Sequence, residues 1–236
     1  MKKLIAIAAL IAAPTVASAA GLSSMNAPAP APAAAYDWSG IYVGGSVGVI
    51  RDTDDMNTSY YGGYYVYNWQ QGGTSVYGAL DIGYNFQAGS AVLGAEADFG
   101  GANAAGTFKQ CETGYGCYSA FKDSITSLGT VRGRLGYAFD RTLIYVTGGL
   151  AYGHVSNSYW YYDYSPYDFN VSGMRAGWVV GAGVEQAIDH HWSISAKALY
   201  VDLGKAHAST TDGYYVYAYT FHNTELLATA GLNYKF

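Results

Sequence analysis

Apolar and polar residues alternate along most of this chain. Alternation is the spacing of β-strands, because successive side chains of a strand point to opposite faces. The last eleven residues show the pattern most clearly, and Leu227 is the only apolar residue there that breaks it. One face of this predicted strand carries Leu226, Ala228, Ala230, Leu232, Tyr234 and Phe236, and the other carries Glu225, Thr229, Gly231, Asn233 and Lys235.

The same alternation predicts seven earlier strands, and helical periodicity describes none of them as well. Their approximate positions are 39–50, 76–87, 93–99, 125–139, 144–152, 175–185 and 192–198. Three short turns, at 88–90, 140–141 and 189–191, alternate with long connections. Eight strands joined in this way predict an all-β fold: an eight-stranded antiparallel up-and-down transmembrane β-barrel whose long connections lie outside the cell.

A barrel of this kind carries outward aromatic residues where its strands meet the membrane boundary. Such residues gather at the short-turn ends of the predicted strands, namely Tyr84, Phe86, Tyr137, Phe139, Trp192, Tyr234 and Phe236. The alternative fold is a soluble β-sandwich, which also alternates but hides its apolar face in a core. The polar faces here are rich in Gly, Ala, Ser and Thr, which suits a narrow barrel interior and favours the barrel.

The amino end has the pattern of a secretory signal peptide over residues 1–19. Lys2 and Lys3 precede an apolar run that is too short to span a membrane as a helix, and residues 17–19 form an A-x-A cleavage site. Residues 20–35 are rich in Pro and Ala, which favours an extended, polyproline-like linker over any packed element, and we expect this periplasmic linker to be a disordered spacer. Residues 36–236 then form a single outer-membrane barrel domain.

Composition agrees with a membrane barrel. The chain has 31 Gly, 25 Tyr and only 12% charged residues, which is roughly half the usual charged fraction. Once Lys2 and Lys3 are removed from the 12 basic residues, ten remain against 17 acidic ones, a formal charge of −7. This acidic excess argues against nucleic acid and anionic lipid surfaces as electrostatic partners.

Five segments carry a family resemblance. They read DWSGIYVGG at 37–45, GAEADF at 94–99, VRGRLGY at 131–137, YVTGGLAYG at 145–153 and AGLNYKF at 230–236. Together they resemble the outer-membrane immunogenic proteins typical of alphaproteobacteria. The resemblance implies an eight-stranded, porin-family barrel of the cell outer membrane with a mainly structural or surface-antigen role. Some relatives are porin-like or haemin-binding, but no residue pattern carries those activities to this chain.

The closing strand also resembles the signal that the barrel-assembly machinery reads. Leu232, Tyr234 and Phe236 are therefore the expected assembly signal, and that machinery is an expected partner. Outer-membrane lipid and lipopolysaccharide are the other expected partners. The partner of the long connections is left open.

The polar strand faces predict five acidic and five basic residues inside the barrel. They are Asp81, Glu96, Asp98, Glu185 and Glu225 with Arg132, Arg134, Arg175, Lys197 and Lys235. An ionic cluster of Asp81, Glu96, Arg132, Arg134 and Lys197 should lie near mid-height. Because an eight-stranded barrel is just wide enough inside for side chains, we expect this cluster to pair and plug the lumen. A charged constriction in a small conducting porin is the alternative.

Tyrosine is concentrated in three of the long connections, at 60–69, 159–167 and 214–219. Tyrosine offers a large flat surface with a polar tip, which is why recognition surfaces use it. The connections are therefore candidates for ligand binding or adhesion. Alternatively, the strands continue beyond the membrane and the tyrosines stabilise those hairpins.

The remaining candidates for chemistry are few. His207, Ser209 and Asp212 lack the spacing of a catalytic triad, so we expect no enzyme. His154 and His222, together with His207, could ligate haemin, but isolated histidines of this kind are more often solvated. We therefore predict no catalytic residue, no metal site and no cofactor, with haemin as the alternative.

Cys111 and Cys117 bracket Glu-Thr-Gly-Tyr-Gly in the second long connection. Two cysteines at this range in an oxidising compartment predict a disulfide, since a metal site needs more ligands than are near. Thiol titration of the denatured, unreduced protein should therefore find no free thiol, and the same protein after reduction should show two. Two thiols without reduction would contradict the disulfide.

Overall fold

The structure, a computed structural model, describes residues 36–60, 65–112, 116–161, 169–211 and 216–236. The predicted signal peptide and linker lie outside these residues, as do four short segments between strands. In the described part of the chain, no helix is long and apolar enough to cross a membrane.

Nine β-strands span most of the described residues. They are β1 (Gly40–Tyr60), β2 (Tyr65–Gln71), β3 (Thr74–Ala88), β4 (Ala91–Glu112), β5 (Gly116–Phe139), β6 (Thr142–Tyr161), β7 (Phe169–Ala187), β8 (Trp192–Thr211) and β9 (Val216–Lys235). Each pairs antiparallel with its neighbours in the sheet.

The sheet closes into an eight-stranded barrel because β2 and β3 occupy one position in it. β1 pairs with β3 from Gly40 opposite Asn85 to Arg51 opposite Thr74. It then pairs with β2 in the same register, beginning with Asp54 opposite Gln71. β1 also pairs with β9, and this seam between the first and last strands closes the cylinder. The predicted eight-stranded antiparallel barrel is confirmed.

The strands are longer than predicted at one end of the barrel. β1 continues to Tyr60 where the alternation predicted an end near residue 50, and β4 continues to Glu112 where it predicted an end near 99. Apolar alternation stops where a strand leaves the membrane, but Tyr and Thr still favour the extended backbone. Much of the predicted long connections is therefore paired strand. This end is called the hairpin end below.

The tyrosine-rich segments lie partly in these extensions. Tyr60 stands opposite Tyr65 at the tip of β1 and β2, and Tyr217 stands opposite Thr210. The remainder of each segment lies outside the described residues. Cys111 and Cys117 are direct partners across β4 and β5, inside strands rather than in a long loop, but their side chains also lie outside the described part.

The opposite end, called the turn end below, carries short turns. Gly89 and Asp140 both adopt positive φ, at 62° and 53°. Glycine and aspartate tolerate this conformation better than most residues. In the turn after β7, the Asp189 carboxylate accepts backbone N–H bonds from His191 and Trp192, both at 2.8 Å. These bonds hold the pKa of Asp189 below its usual range.

The outer surface is apolar along the strands and aromatic at the turn end. Six of the seven predicted girdle residues are well exposed there: Tyr84, Phe86, Tyr137, Phe139, Trp192 and Phe236. Tyr234 is half-buried among its neighbours, since it contacts Trp192 at 5.0 Å and Phe236 at 5.2 Å between ring centroids. This is the surface that a hydrocarbon environment requires.

One predicted lumen residue faces the wrong way. Alternation over 125–139 places Thr126 on the inward face with Thr130, Arg132 and Arg134, but Thr126 is exposed, whereas Thr130 is buried. The pairing of β5 with β6 shifts by one residue between Ile125 and Ser127. A bulge of this kind reverses the side-chain alternation on one side of it. Sequence alternation alone does not locate such a shift.

The position of Phe236 at the seam between β1 and β9 generates a prediction about assembly. The Phe236 N–H donates to the Ile41 carbonyl at 3.0 Å, and the Phe236 ring is 71% exposed in the girdle. Removing Phe236 should therefore lower the amount of folded barrel in the outer membrane more than Tyr67→Ala does. Immunoblotting of unheated membrane fractions measures this. Equal levels of the two variants would contradict the assignment of Phe236 to the assembly signal.

Candidate functional site

The barrel interior is layered. β5 shows the order from the turn end: the buried apolar residue Ala138 comes first, then the cations Arg134 and Arg132, then the apolar residue Leu128. Three layers follow from this order: an apolar cap at the turn end, an ionic layer above it, and an apolar layer towards the hairpin end.

Glu96 is the centre of the ionic layer. Its carboxylate accepts hydrogen bonds from Arg132, Lys197, Arg134 and Tyr42. The Tyr42 hydroxyl lies 2.6 Å away and the Lys197 ammonium 3.1 Å away. Three cations thus converge on a single buried carboxylate, which is stable only because each cation also has a second acidic partner.

Those second partners complete the layer. Arg132 also donates to Asp98 at 2.6 Å, and Lys197 also donates to Asp81. All five residues of the predicted ionic cluster are therefore brought together, with Asp98 added. Arg132 has no exposed side-chain surface at all. Carboxylate atoms of Asp81, Glu96 and Asp98 lie within 4.8 Å of one another, and Arg132 and Lys197 form ion pairs with all three.

Arg134 links the ionic layer to β7, which is separated from β5 only by β6. It donates to Glu185 on β7 at 2.9 Å, and its guanidinium lies 3.9 Å from the centroid of the Tyr145 ring. The second oxygen of Glu185 accepts from Ser193 at 2.6 Å and Asn233 at 2.8 Å. The fourth acid of the layer is thereby satisfied by one cation and two neutral donors.

Glycines make room for the lumen tyrosines. A Cβ at Gly83 would lie 2.4 Å from the Tyr42 hydroxyl, and a Cβ at Gly183 would lie 2.5 Å from the Tyr145 hydroxyl. Each tyrosine thus lies flat over a glycine of a neighbouring strand. This close approach brings the hydroxyl or the ring to the ionic layer, and it explains why the polar faces are rich in glycine.

The apolar layer was not predicted. It consists of buried side chains that point inward from most of the strands: Ile50, Tyr77, Leu128, Ala151, Val155, Val179, Leu199, Val201, Leu203 and Leu227. Leu227 is the residue that breaks the alternation of the last strand, and its side chain lies in this layer. The sequence signal for this layer is an apolar residue at a position where the alternation expects a polar one. A single such residue per strand is too weak a signal to predict an apolar layer.

The apolar cap closes the turn end. Its members are Tyr36, Trp38, Val92, Ala138, Leu143, Tyr145 and Ala187. Tyr36 and Trp38 precede the first strand, so strand analysis did not assign them to the lumen. Burial raises the pKa of Tyr36 to about 12, and its protonated hydroxyl donates to the His190 carbonyl at 3.4 Å.

Among the described residues, two gaps between these layers are small. A gap beside the cap, lined by Tyr36, Trp38, Tyr42, Asn85, Glu185, Ser193 and Lys235, has a volume of about 10 Å³. That is roughly the smallest volume that holds one water molecule. A second gap, between the ionic and apolar layers, has about 0 Å³ for a water molecule.

The other predicted lumen charges lie at the two ends. Glu225 is buried towards the hairpin end with Asp52 and Asn223, and Arg175 is half-buried. Lys235 lies at the turn end, where its ammonium is 4.3 Å from the centroid of the Tyr36 ring. The ten predicted charges therefore do not form one cluster.

The histidines are placed apart from the ionic layer. His222 Nε2 lies 3.1 Å from Asp202, and His207 Nδ1 lies 3.1 Å from the Thr220 hydroxyl. Within the described ranges, no group of three potential metal ligands includes a histidine. His154 is half-buried on β6. Asp212, the third member of the triad considered above, lies outside the described residues.

Comparison with known proteins gives consistent matches. The sequence matches the outer membrane protein beta-barrel domain over residues 16–236. It is 33% identical over 252 residues to the 31 kDa outer-membrane immunogenic protein of Brucella melitensis biotype 1, covering 99% of this chain and 98% of that protein. It is 31% identical over 208 residues to the 22 kDa outer membrane protein of Rhizobium leguminosarum bv. viciae, covering 86% and 80%.

Among solved structures, the outer membrane protease OmpT from Escherichia coli is similar in fold. The TM-score is 0.52 at 11% identity, and the match covers 84% of this chain and 97% of that chain. At this identity the similarity concerns the fold alone.

The central position of Glu96 generates a stability prediction. Glu96→Gln removes the negative charge that Arg132, Arg134 and Lys197 share, so the free energy of unfolding should fall by about 3 kcal/mol, since breaking a buried ion pair leaves uncompensated charge. Asp140→Asn, in an exposed turn, is the control and should stay within about 0.5 kcal/mol of the native protein. Urea unfolding in vesicles, followed by tryptophan fluorescence, measures both. Equal stability of the two variants would contradict the role of Glu96.

Proposed function

The chain belongs to the family of outer membrane protein β-barrels, and from this premise we propose that it is a closed barrel with a structural and surface-presenting role. In this proposal no solute passes through the lumen. The barrel fills and stabilises the outer membrane, and its hairpin end is exposed to the exterior.

The layered interior is the observation that carries this proposal. A conducting pore needs a continuous polar path, but an apolar layer and an apolar cap lie on either side of the ionic layer. The ions of that layer are paired with one another, so a permeating ion would have to break buried bonds and then cross apolar surface. The breaking of buried bonds and the crossing of apolar surface both oppose permeation, whatever the exact strength of any one salt bridge.

The hairpin end supports the presenting role. In bacterial outer-membrane barrels, the short turns face the periplasm and the long hairpins face the cell exterior. Strands β1, β4 and β9 extend the barrel well beyond the strand ends that apolar alternation predicts. Tyrosine-rich hairpins of this length would reach the lipopolysaccharide sugars and the medium, and we propose that they act as a surface antigen. A relative is itself named as an immunogenic protein.

The proposal also covers how the barrel is assembled and what surrounds it. We propose that the barrel-assembly machinery reads Leu232, Tyr234 and Phe236, which face outward along the last strand. Outer-membrane lipid then covers the apolar belt. The proposal assigns no reaction to the chain and no bound cofactor.

Liposome swelling tests the closed lumen. Vesicles containing the purified, folded protein should swell in arabinose at the rate of vesicles without protein, because the apolar layers exclude solute. Vesicles with an equal amount of an open general porin serve as the positive control. Swelling at a rate near that of the porin would overturn the proposal and favour the small-porin alternative.

A further inference from the structure

The four residues before the first strand make a set of contacts that the barrel itself does not require. Tyr36–Ser39 crosses the turn end of the lumen, and the chain is redirected there by Gly40, whose φ is 128°. A residue with a Cβ rarely adopts this φ, so glycine allows the segment to fold back over the opening instead of continuing the strand.

Two side chains of the segment are buried inside the barrel. Trp38 is 2% exposed and Tyr36 is 8% exposed. Their rings meet edge to face at 4.7 Å between centroids, and both pack on the apolar cap formed with Leu143 and Tyr145. Burying two aromatic side chains removes apolar surface from water and so stabilises this arrangement.

The segment is bonded to the strand on one side of the seam. The Trp38 N–H donates to the side-chain carbonyl of Gln87 at 2.7 Å, and the Gln87 N–H donates to the Ser39 hydroxyl at 3.2 Å. Gln87 belongs to β3, which pairs with β1. These two bonds therefore fix the segment to the second position of the barrel.

The segment is also bonded to the strands on the other side of the seam. Lys235, the last residue of β9, donates its ammonium to the Asp37 carbonyl and lies over the Tyr36 ring. Tyr36 in turn donates to the carbonyl of His190, in the turn that leads into β8. The backbone N–H of Lys235 donates to His191 in the same turn at 2.7 Å.

We propose that Tyr36–Ser39 is a latch that secures the seam between β1 and β9 at the turn end. The opening of the barrel is the binding site of this segment, and Lys235 is its point of attachment on the closing strand. A barrel closed only by its seam hydrogen bonds would fray from this end. The latch joins both sides of the seam across the opening and prevents that fraying.

Hydrogen exchange on the full-length protein tests the latch. In Trp38→Ala, the amide hydrogens of Lys235 and Phe236 should exchange faster by about tenfold or more, because local opening exposes them. Amides at the hairpin end of the same seam, near the Asp52 and Glu225 pair, should be unchanged. Trp178→Ala, at an outward position of β7, is the control and should leave both regions unchanged.

Lys235→Gln provides a second variant in case Trp38→Ala does not fold. It keeps the apolar contacts of the latch and removes only the cation, so it should increase exchange at the same amides by a smaller factor. Unchanged exchange in the folded variants would overturn the latch. An equal increase at both ends of the seam would also overturn it, because it would show general destabilisation.

Discussion

The width of an eight-stranded barrel is the constraint on which the rest of the structure depends. Its interior admits side chains and little else, so each charge placed there must find its partner inside the same narrow cylinder. Glu96 satisfies this condition by binding Arg132, Arg134 and Lys197 together, and Asp98, Asp81 and Glu185 take the remaining bonds. The glycines on the inner faces follow from it, since they leave space for Tyr42 and Tyr145.

The two ends of the barrel differ in structure. At the turn end, the apolar cap and Tyr36–Ser39 close the lumen and join the first strand to the last. At the hairpin end, the strands continue past the apolar belt and carry polar and tyrosine-rich sequence outward. The packed interior supports both arrangements, because side chains that fill the cylinder hold its strands in fixed positions.

Much of the barrel could be predicted from sequence because the membrane imposes a strict alternation. The outward residues of Leu226–Phe236 and the girdle were identified in this way, and so were the five residues of the ionic cluster. Where the membrane does not act, prediction was weaker. Beyond the apolar belt the sequence of β1 and β4 is rich in polar and small residues, so these extensions gave no apolar alternation. A bulge near Thr126 reversed the alternation of β5 without any sequence signal.

The interior was predicted only in part for a related reason. An inward apolar residue such as Leu227 looks like an error in the pattern when one strand is considered alone. It becomes interpretable only when several strands place Leu128, Leu199 and Val201 at the same height. Trp38 was missed because it precedes the first strand, and strand periodicity says nothing about a segment that turns back into the lumen.

Thiol accessibility at mid-lumen tests the packed interior most directly. Ala151 is 1% exposed within the apolar layer, and Ala151→Cys can be made in a chain with Cys111→Ser and Cys117→Ser. A charged, water-soluble thiol reagent should leave this cysteine unmodified in the folded barrel and modify it fully in urea, while Asp140→Cys in an exposed turn reacts in both states. Modification of the folded Ala151→Cys barrel at the rate of the Asp140→Cys control would show a water-filled lumen and contradict the account.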